Sequence, residues 1–251
     1  MSDSIQFDKI VDKAKSDAAI LGLFLVGSRG KGFENEQSDY DIVMIAKDDV
    51  VNSLKSEYED KKAEDIDLSI YSLSDFINYA AWGSSNAWDR YDFANTKILV
   101  DKTENLSEII KEKGIIPSDK LNEFIDWCID GYVNGVFRSV KSMHKKNTLG
   151  VHLEAVNSIL DLLTLVYALN GRHRPFLGYV EKELLVRPLE ILPWSITEFI
   201  QKIKNVLETA DLKTQQELLK GIEKLCRENG HGRVFDSWQG KDKWAMEYNP
   251  E

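Results

Sequence analysis

The first hundred residues change their hydrophobic period several times. Apolar positions at helical spacing predict a helix over about residues 4–18, and a short apolar run, LGLFLV, follows as a strand. A polar, glycine-bearing loop leads to a second strand, DYDIVMIA. Then come a helix over about 48–62, a strand DIDLSIY, a helix from Leu73 to about Trp82 and a strand KILVD at 97–101. From about Pro117 the strand signals stop. Three long helical runs fill the rest: 118–146, 149–170, and 195–227 with a break near Ala210. The segment GRHRP closes the middle run with a glycine stop, a basic last turn and a proline. The pattern predicts an α/β domain over residues 1–115 and an all-α helical bundle over 116–251.

Composition narrows the class. The 251 residues are 43% hydrophobic, with ten Phe, nine Tyr and six Trp, enough to bury a core. A formal charge of −10 has the wrong sign for broad binding to phosphate backbones, which disfavours a nucleic-acid partner. Two cysteines exclude a disulfide scaffold or a four-cysteine zinc site, and the four histidines show no pair at ligand spacing. The apolar stretch SILDLLTLVYALNG is interrupted by Asp161 and ends at Gly171, short of the roughly 20 residues a bilayer crossing needs. The start, MSDSIQFDKI, lacks a basic segment followed by an apolar core. The expectation is a cytoplasmic protein.

The chemistry concentrates in LFLVGSRGKGFENEQSDYDIVMI, residues 23–45. Side chains at i and i+2 of a strand point the same way, so Asp39 and Asp41 share a face while Tyr40, Ile42 and Met44 pack on the other. Two carboxylates held side by side repel unless a cation lies between them, and an all-oxygen pair suits Mg²⁺. Upstream, Gly27 lets the backbone approach a phosphate, Ser28 adds a hydroxyl donor, and Arg29 and Lys31 add positive charge. A phosphate cradle followed by a metal clamp is what a nucleoside triphosphate requires. A third carboxylate is expected from a neighbouring strand. In DIDLSIY, Asp67 alternates with Ile66, Leu68 and Ile70, whereas Asp65 stands at the strand entrance, so Asp67 is preferred.

The sequence VGS, ten residues, then DYDI in strand context, with an acidic residue on a later strand, resembles the DNA polymerase beta-like nucleotidyltransferase superfamily. A small first domain followed by a helical one is similar to the antibiotic nucleotidyltransferases, the aminoglycoside adenylyltransferases in particular. The resemblance implies a nucleotidyltransferase domain built on a mixed sheet with helices. It also implies that Gly27 and Ser28 bind the triphosphate and that Asp39, Asp41 and Asp67 hold the metal. The activity implied is Mg²⁺-dependent transfer of AMP from ATP to a hydroxyl of a small molecule, possible aminoglycoside-like antibiotics included, with pyrophosphate leaving and the active site between the domains. The alternative is a non-catalytic or regulatory member that binds a nucleotide or a protein partner, as antitoxin-like relatives do.

In the helical half, VHLEAVNSILDLLTLVYALNG is apolar on most of its circumference and is expected to be largely buried. Glu154, Asn157, Asp161 and Thr164 make one narrow polar stripe along it. Its short polar groups favour a cleft over solvent. Metal-bound carboxylates make poor bases, and by resemblance the adenylyltransferases draw a glutamate base from the helical domain. Glu154 is therefore the expected general base, with Asp161 in reserve. A second stripe, Asp126, Asp130, Asn134, Arg138, Lys141 and Lys145, is acidic in its first half and basic in its second.

Overall fold

The structure is a computed structural model that describes residues 2–59, 65–103, 105–238 and 240–249. It forms two compact units, Met1–Ile115 and Ile116–Glu251. The first unit runs α1 (Ser2–Ser16), β1 (Ile20–Leu25), α2 (Gly27–Lys31), β2 (Tyr40–Ala46), α3 (Val51–Glu59), β3 (Ile66–Ser72), α4 (Leu73–Asn78), α5 (Arg90–Phe93), β4 (Lys97–Asp101) and α6 (Leu106–Lys113). Its four strands form one mixed sheet in the order β3-β2-β1-β4. The β2 and β3 strands run parallel, and β1 is antiparallel to both β2 and β4.

Both faces of this sheet are covered, which explains why β1 and β2 read as nearly continuous apolar runs. Leu23, Leu25, Ile42, Met44 and Ile70 pack with Ile10 and Ala14 of α1 and Val51 and Leu54 of α3. Phe24, Val43 and Ile45 pack on the other face with Phe76 of α4, Phe93 of α5, and Leu106 and Ile110 of α6. Apolar cover gives out where β2 and β3 begin, and there the second face carries aspartates. Two segments differ from their predicted extents. The helix after β3 ends at Asn78, because Ala80 adopts φ +51° and turns the chain. The helix over 48–62 is observed as Val51–Glu59, and residues 60–62 lie outside the described residues.

The second unit comprises α7 (Ser118–His144), α8 (Thr148–Ala168), α9 (Val180–Val186), α10 (Ile196–Thr209), α11 (Leu212–Glu228), α12 (Gly232–Ser237) and α13 (Trp244–Glu247). The α7 and α8 helices form an antiparallel hairpin. A Cβ on Gly135 would lie 2.9 Å from the Ser158 Cβ, and Ser139 donates to the Val151 carbonyl at 3.1 Å, so small residues set the close approach. The break at Ala210 is a left-handed residue (φ +51°), followed by Asp211, whose carboxylate caps α11 by accepting the Thr214 N–H. After α8, Gly171 turns at φ +67°, and Arg172 joins Arg187 on the buried Glu183 carboxylate at 2.7 and 2.6 Å. The first arginine of GRHRP thus serves as a structural tie.

The α8 helix corrects one expectation. Val151, Ala155, Ile159, Leu162 and Val166 are buried, but Leu149, Leu153 and Val156 are exposed at 71%, 62% and 38%. Only its C-terminal half is covered nearly all round. With 21 residues it is also long and apolar enough to cross a bilayer by length and composition, although its buried face packs as a core helix does.

Candidate active site

The site in the first unit starts where β1 ends. The Val26 N–H donates to the Asp41 carbonyl at 3.0 Å, and the chain then enters α2 directly. Gly27 adopts φ +57°, and a Cβ there would stand 1.8 Å from Oδ2 of Asp41. Gly30 is required for a different reason: its Cβ would meet the Leu25 carbonyl oxygen at 2.4 Å. The turn is thus pressed against both the preceding strand and the Asp41 carboxylate. The first turn of any helix leaves N–H groups without intrahelical acceptors, and Ser28 lies in that turn. Replacing Gly27 by valine should displace the Asp41 carboxylate and impose a conformation that β-branched residues resist. We expect Gly27→Val to lose more nucleotide affinity than Ser28→Ala, whose single charge-assisted hydrogen bond is worth about 1.5–3 kcal/mol, as measured by titration calorimetry.

The carboxylates come from adjacent strand ends. Asp39 is exposed immediately before β2, Asp41 is half-buried within it, and Asp67 is exposed on β3, paired across the parallel register with Asp41. Neighbouring strands lie about 4.8 Å apart, so these two side chains leave the sheet as close neighbours. The Asp41 carboxyl is pushed up to about 6, first by burial, then by the charges of Asp39, Asp92 and Asp67, with Lys31 opposing. Asp65, at the strand entrance, contributes its carbonyl to the Tyr40 N–H at 2.9 Å.

Asp92, on α5, is a member that sequence reasoning missed. Its carboxyl is raised by burial and held back by Lys31. The segment DRYDFANTK carries no strand alternation and no long helical period, so no local signal singles out this aspartate.

Arg29 and Lys31, expected beside the triphosphate, make their contacts within the protein. The Arg29 guanidinium donates to the Ser38 carbonyl through Nη2 at 2.6 Å and to the Asp39 carbonyl through Nε at 2.8 Å. It also stacks 3.9 Å from the Tyr40 ring centroid. Arg29 therefore fastens the segment that delivers Asp39 and Asp41. Lys31 is buried, with Nζ 3.2 Å from Oδ1 of Asp92 and 4.7 Å from the Tyr91 ring centroid.

The donor set suits a hard divalent cation in its chemistry: oxygen ligands only, with mutual repulsion that a cation would relieve. Among the described residues no group of three or more His, Cys, Asp or Glu side chains stands ready to hold a metal ion. Holding one requires the exposed Asp39 and Asp67 side chains to turn toward Asp41.

In the second unit, Glu154 is half-buried on α8. Asp161 is half-buried two turns further on, accepts from Asn157 at 3.4 Å, and faces Gly131 of α7, whose Cβ would lie 3.3 Å from the carboxylate. Burial raises the Asp161 carboxyl, and Arg174 counters it. The acidic half of the α7 stripe has a structural use. Asp126 holds His231 at 2.8 Å and also Arg233, and Asp130 accepts from Trp238 Nε1 at 3.1 Å, pinning the C-terminal segment to α7. Arg138, Lys141 and Lys145 of the basic half are exposed.

Residues 7–122 match the family model of the nucleotidyltransferase domain. Among solved structures, a nucleotidyltransferase-like protein from Exiguobacterium sibiricum 255-15 is similar at 12% identity and a TM-score of 0.44, over 94% of this chain and 78% of that one. That likeness is too loose to bear on the chemistry. No curated protein matches the chain.

Proposed function

We propose, for a chain whose residues 7–122 match a nucleotidyltransferase domain, that it transfers AMP from ATP to a hydroxyl of a small molecule and releases pyrophosphate. The observation that carries this reading is the pairing of Asp41 with Asp67 across parallel strands, with the Gly27 turn packed against Asp41. Asp39, Asp41 and Asp67 would hold Mg²⁺, which when bound neutralises triphosphate charge and polarises the α-phosphate. Backbone N–H groups of the Gly27–Ser28 turn and the Ser28 hydroxyl bind the triphosphate oxygens. Arg29 acts at one remove, by fixing the carbonyls of Ser38 and Asp39. The acceptor oxygen forms a bond to the α-phosphorus as the bond to the leaving pyrophosphate breaks, and on the resemblance to the aminoglycoside adenylyltransferases Glu154 would take the acceptor's proton.

An aminoglycoside-like acceptor and the preference for adenine rest on the resemblance to the antibiotic nucleotidyltransferases. Incubation with nucleoside triphosphates labelled at the α-phosphate, Mg²⁺ and a panel of antibiotics and RNAs tests both. Transfer of label from ATP to an antibiotic is the expected result. Nucleotide binding with no transfer to any acceptor would favour a regulatory protein, and label appearing on RNA would replace the acceptor class.

A further inference from the structure

The exposed row of α8 runs directly beside Glu154. Leu149, Leu153 and Val156, spaced four and three residues apart, form one row of the helix, and all three are exposed. Glu154, Asn157 and Asp161 form the next row. On the far flank of that polar row stands α7. A Cβ on Gly131 of α7 would lie 3.3 Å from the Asp161 carboxylate, and one on Gly135 would lie 2.9 Å from the Ser158 Cβ, so the two helices stay close over this stretch. Seven residues along α7 and seven back along the antiparallel α8, Arg138 stands to Glu154 as Gly131 stands to Asp161. Arg138 and Lys141, one turn on, are exposed, and no acidic residue lies between Asp130 and Glu154 in the sequence. Glu154 thus has an apolar row on one side and a basic row on the other.

We propose that this face is the acceptor subsite and that it takes an alcohol with an apolar flank beside the reacting hydroxyl and no cationic group near it, an inference that rests on Glu154 being the base for nucleotidyl transfer. Leu149 and Leu153 cover the apolar flank. Arg138 and Lys141 repel a polycation and donate to neutral or anionic oxygens on the other side. Larger occupants fit the face poorly. Three aliphatic side chains fall far short of the roughly 800 Å² per partner that a stable dimer buries. A flat bilayer reaching both rows would have to bury the Glu154 carboxylate that lies between them, at high cost. A small amphipathic molecule meets neither obstacle, so among antibiotics the site selects amphipathic ones over polycationic ones.

The test is amide NMR on the full isotope-labelled chain with three probes: octyl glucoside below its micellar concentration, methyl glucoside, which has the same hydroxyls without the apolar flank, and kanamycin, a polycation. Octyl glucoside is expected to shift the amides of residues 149–157 saturably, with about 5- to 20-fold higher affinity than methyl glucoside. Leu153→Ser, a change at an exposed position, should remove most of that advantage. Kanamycin should leave these amides in place. ATP with Mg²⁺, added separately, should shift the amides of the Gly27–Lys31 turn; if it does not, the nucleotidyltransferase reading fails, while the glucosides still decide the subsite. Equal affinity for the two glucosides, tighter binding of kanamycin, or equal shifts at the exposed Leu177 and Leu185 would overturn it. So would a dimer in sedimentation runs, or co-sedimentation with phosphatidylglycerol vesicles, that Leu153→Ser abolishes.

Discussion

Asp41→Asn should abolish nucleotidyl transfer and at the same time make the metal-free protein more stable above pH 6. The first effect follows from removing the central carboxylate of the Asp39, Asp41 and Asp67 set. The second follows from linkage. The Asp41 carboxyl sits at about 6 in the folded protein against 3.8 ordinarily. Between those values the folded state keeps a proton that the unfolded chain releases, so stability falls as pH rises through about 6. A shift of that size amounts to roughly 3 kcal/mol, and partial exposure brings the expected gain in the variant down to on the order of 1–2 kcal/mol. Thermal melts in chelator at pH 4 and pH 7.5 check it: the variant should gain on the wild type only at the higher pH. Added Mg²⁺ should then raise the wild-type midpoint and leave the variant nearly unmoved. Normal turnover by Asp41→Asn, or equal melts at both pH values, would remove the carboxylate argument.

Glu154→Gln should leave binding of ATP and acceptor in place and cut turnover by roughly 10²–10⁴-fold, the usual share of a general base. The isosteric amide keeps the half-buried position on α8 and cannot take a proton. Single-turnover rates at saturating substrates separate this from a binding defect. A loss below tenfold with the fold intact would leave Glu154 no part in proton transfer, and the base would then be sought at Asp161, on the same stripe, or at Asp67. Asp161→Asn run in parallel shows which carboxylate on α8 matters.

What the sequence could show depended on how local each signal was. Strand alternation is local, and it put Asp41 and Asp67 off the apolar face without knowledge of any partner; the parallel register that makes them neighbours is a tertiary fact. Asp92 was illegible because its tie is to Lys31, 61 positions away, and nothing in DRYDFANTK marks it. The contacts of Arg29 within the protein were illegible for a chemical reason. A guanidinium suits a phosphate and a pair of carbonyl oxygens equally well, and only the fold shows which is within reach. The long helices were plain from period, whereas α6 and α9 span eight and seven residues, too short for apolar spacing to stand out. The exposed leucines of α8 escaped because helical period identifies an apolar face without saying how much of it the neighbours cover.

The pairing of Asp41 with Asp67 also acts on folding fidelity. A slip of β3 by one residue along β2 would turn Ile66, Leu68 and Ile70 out of the core and drive Asp67 into the cluster around Ile42 and Met44. A misaligned sheet would therefore bury a charge at the same moment that it dismantled the site. The residue proposed for chemistry is in this way a proofreader of its own strand, and chains that settle in the wrong alignment would be removed by instability before they could persist as inactive protein.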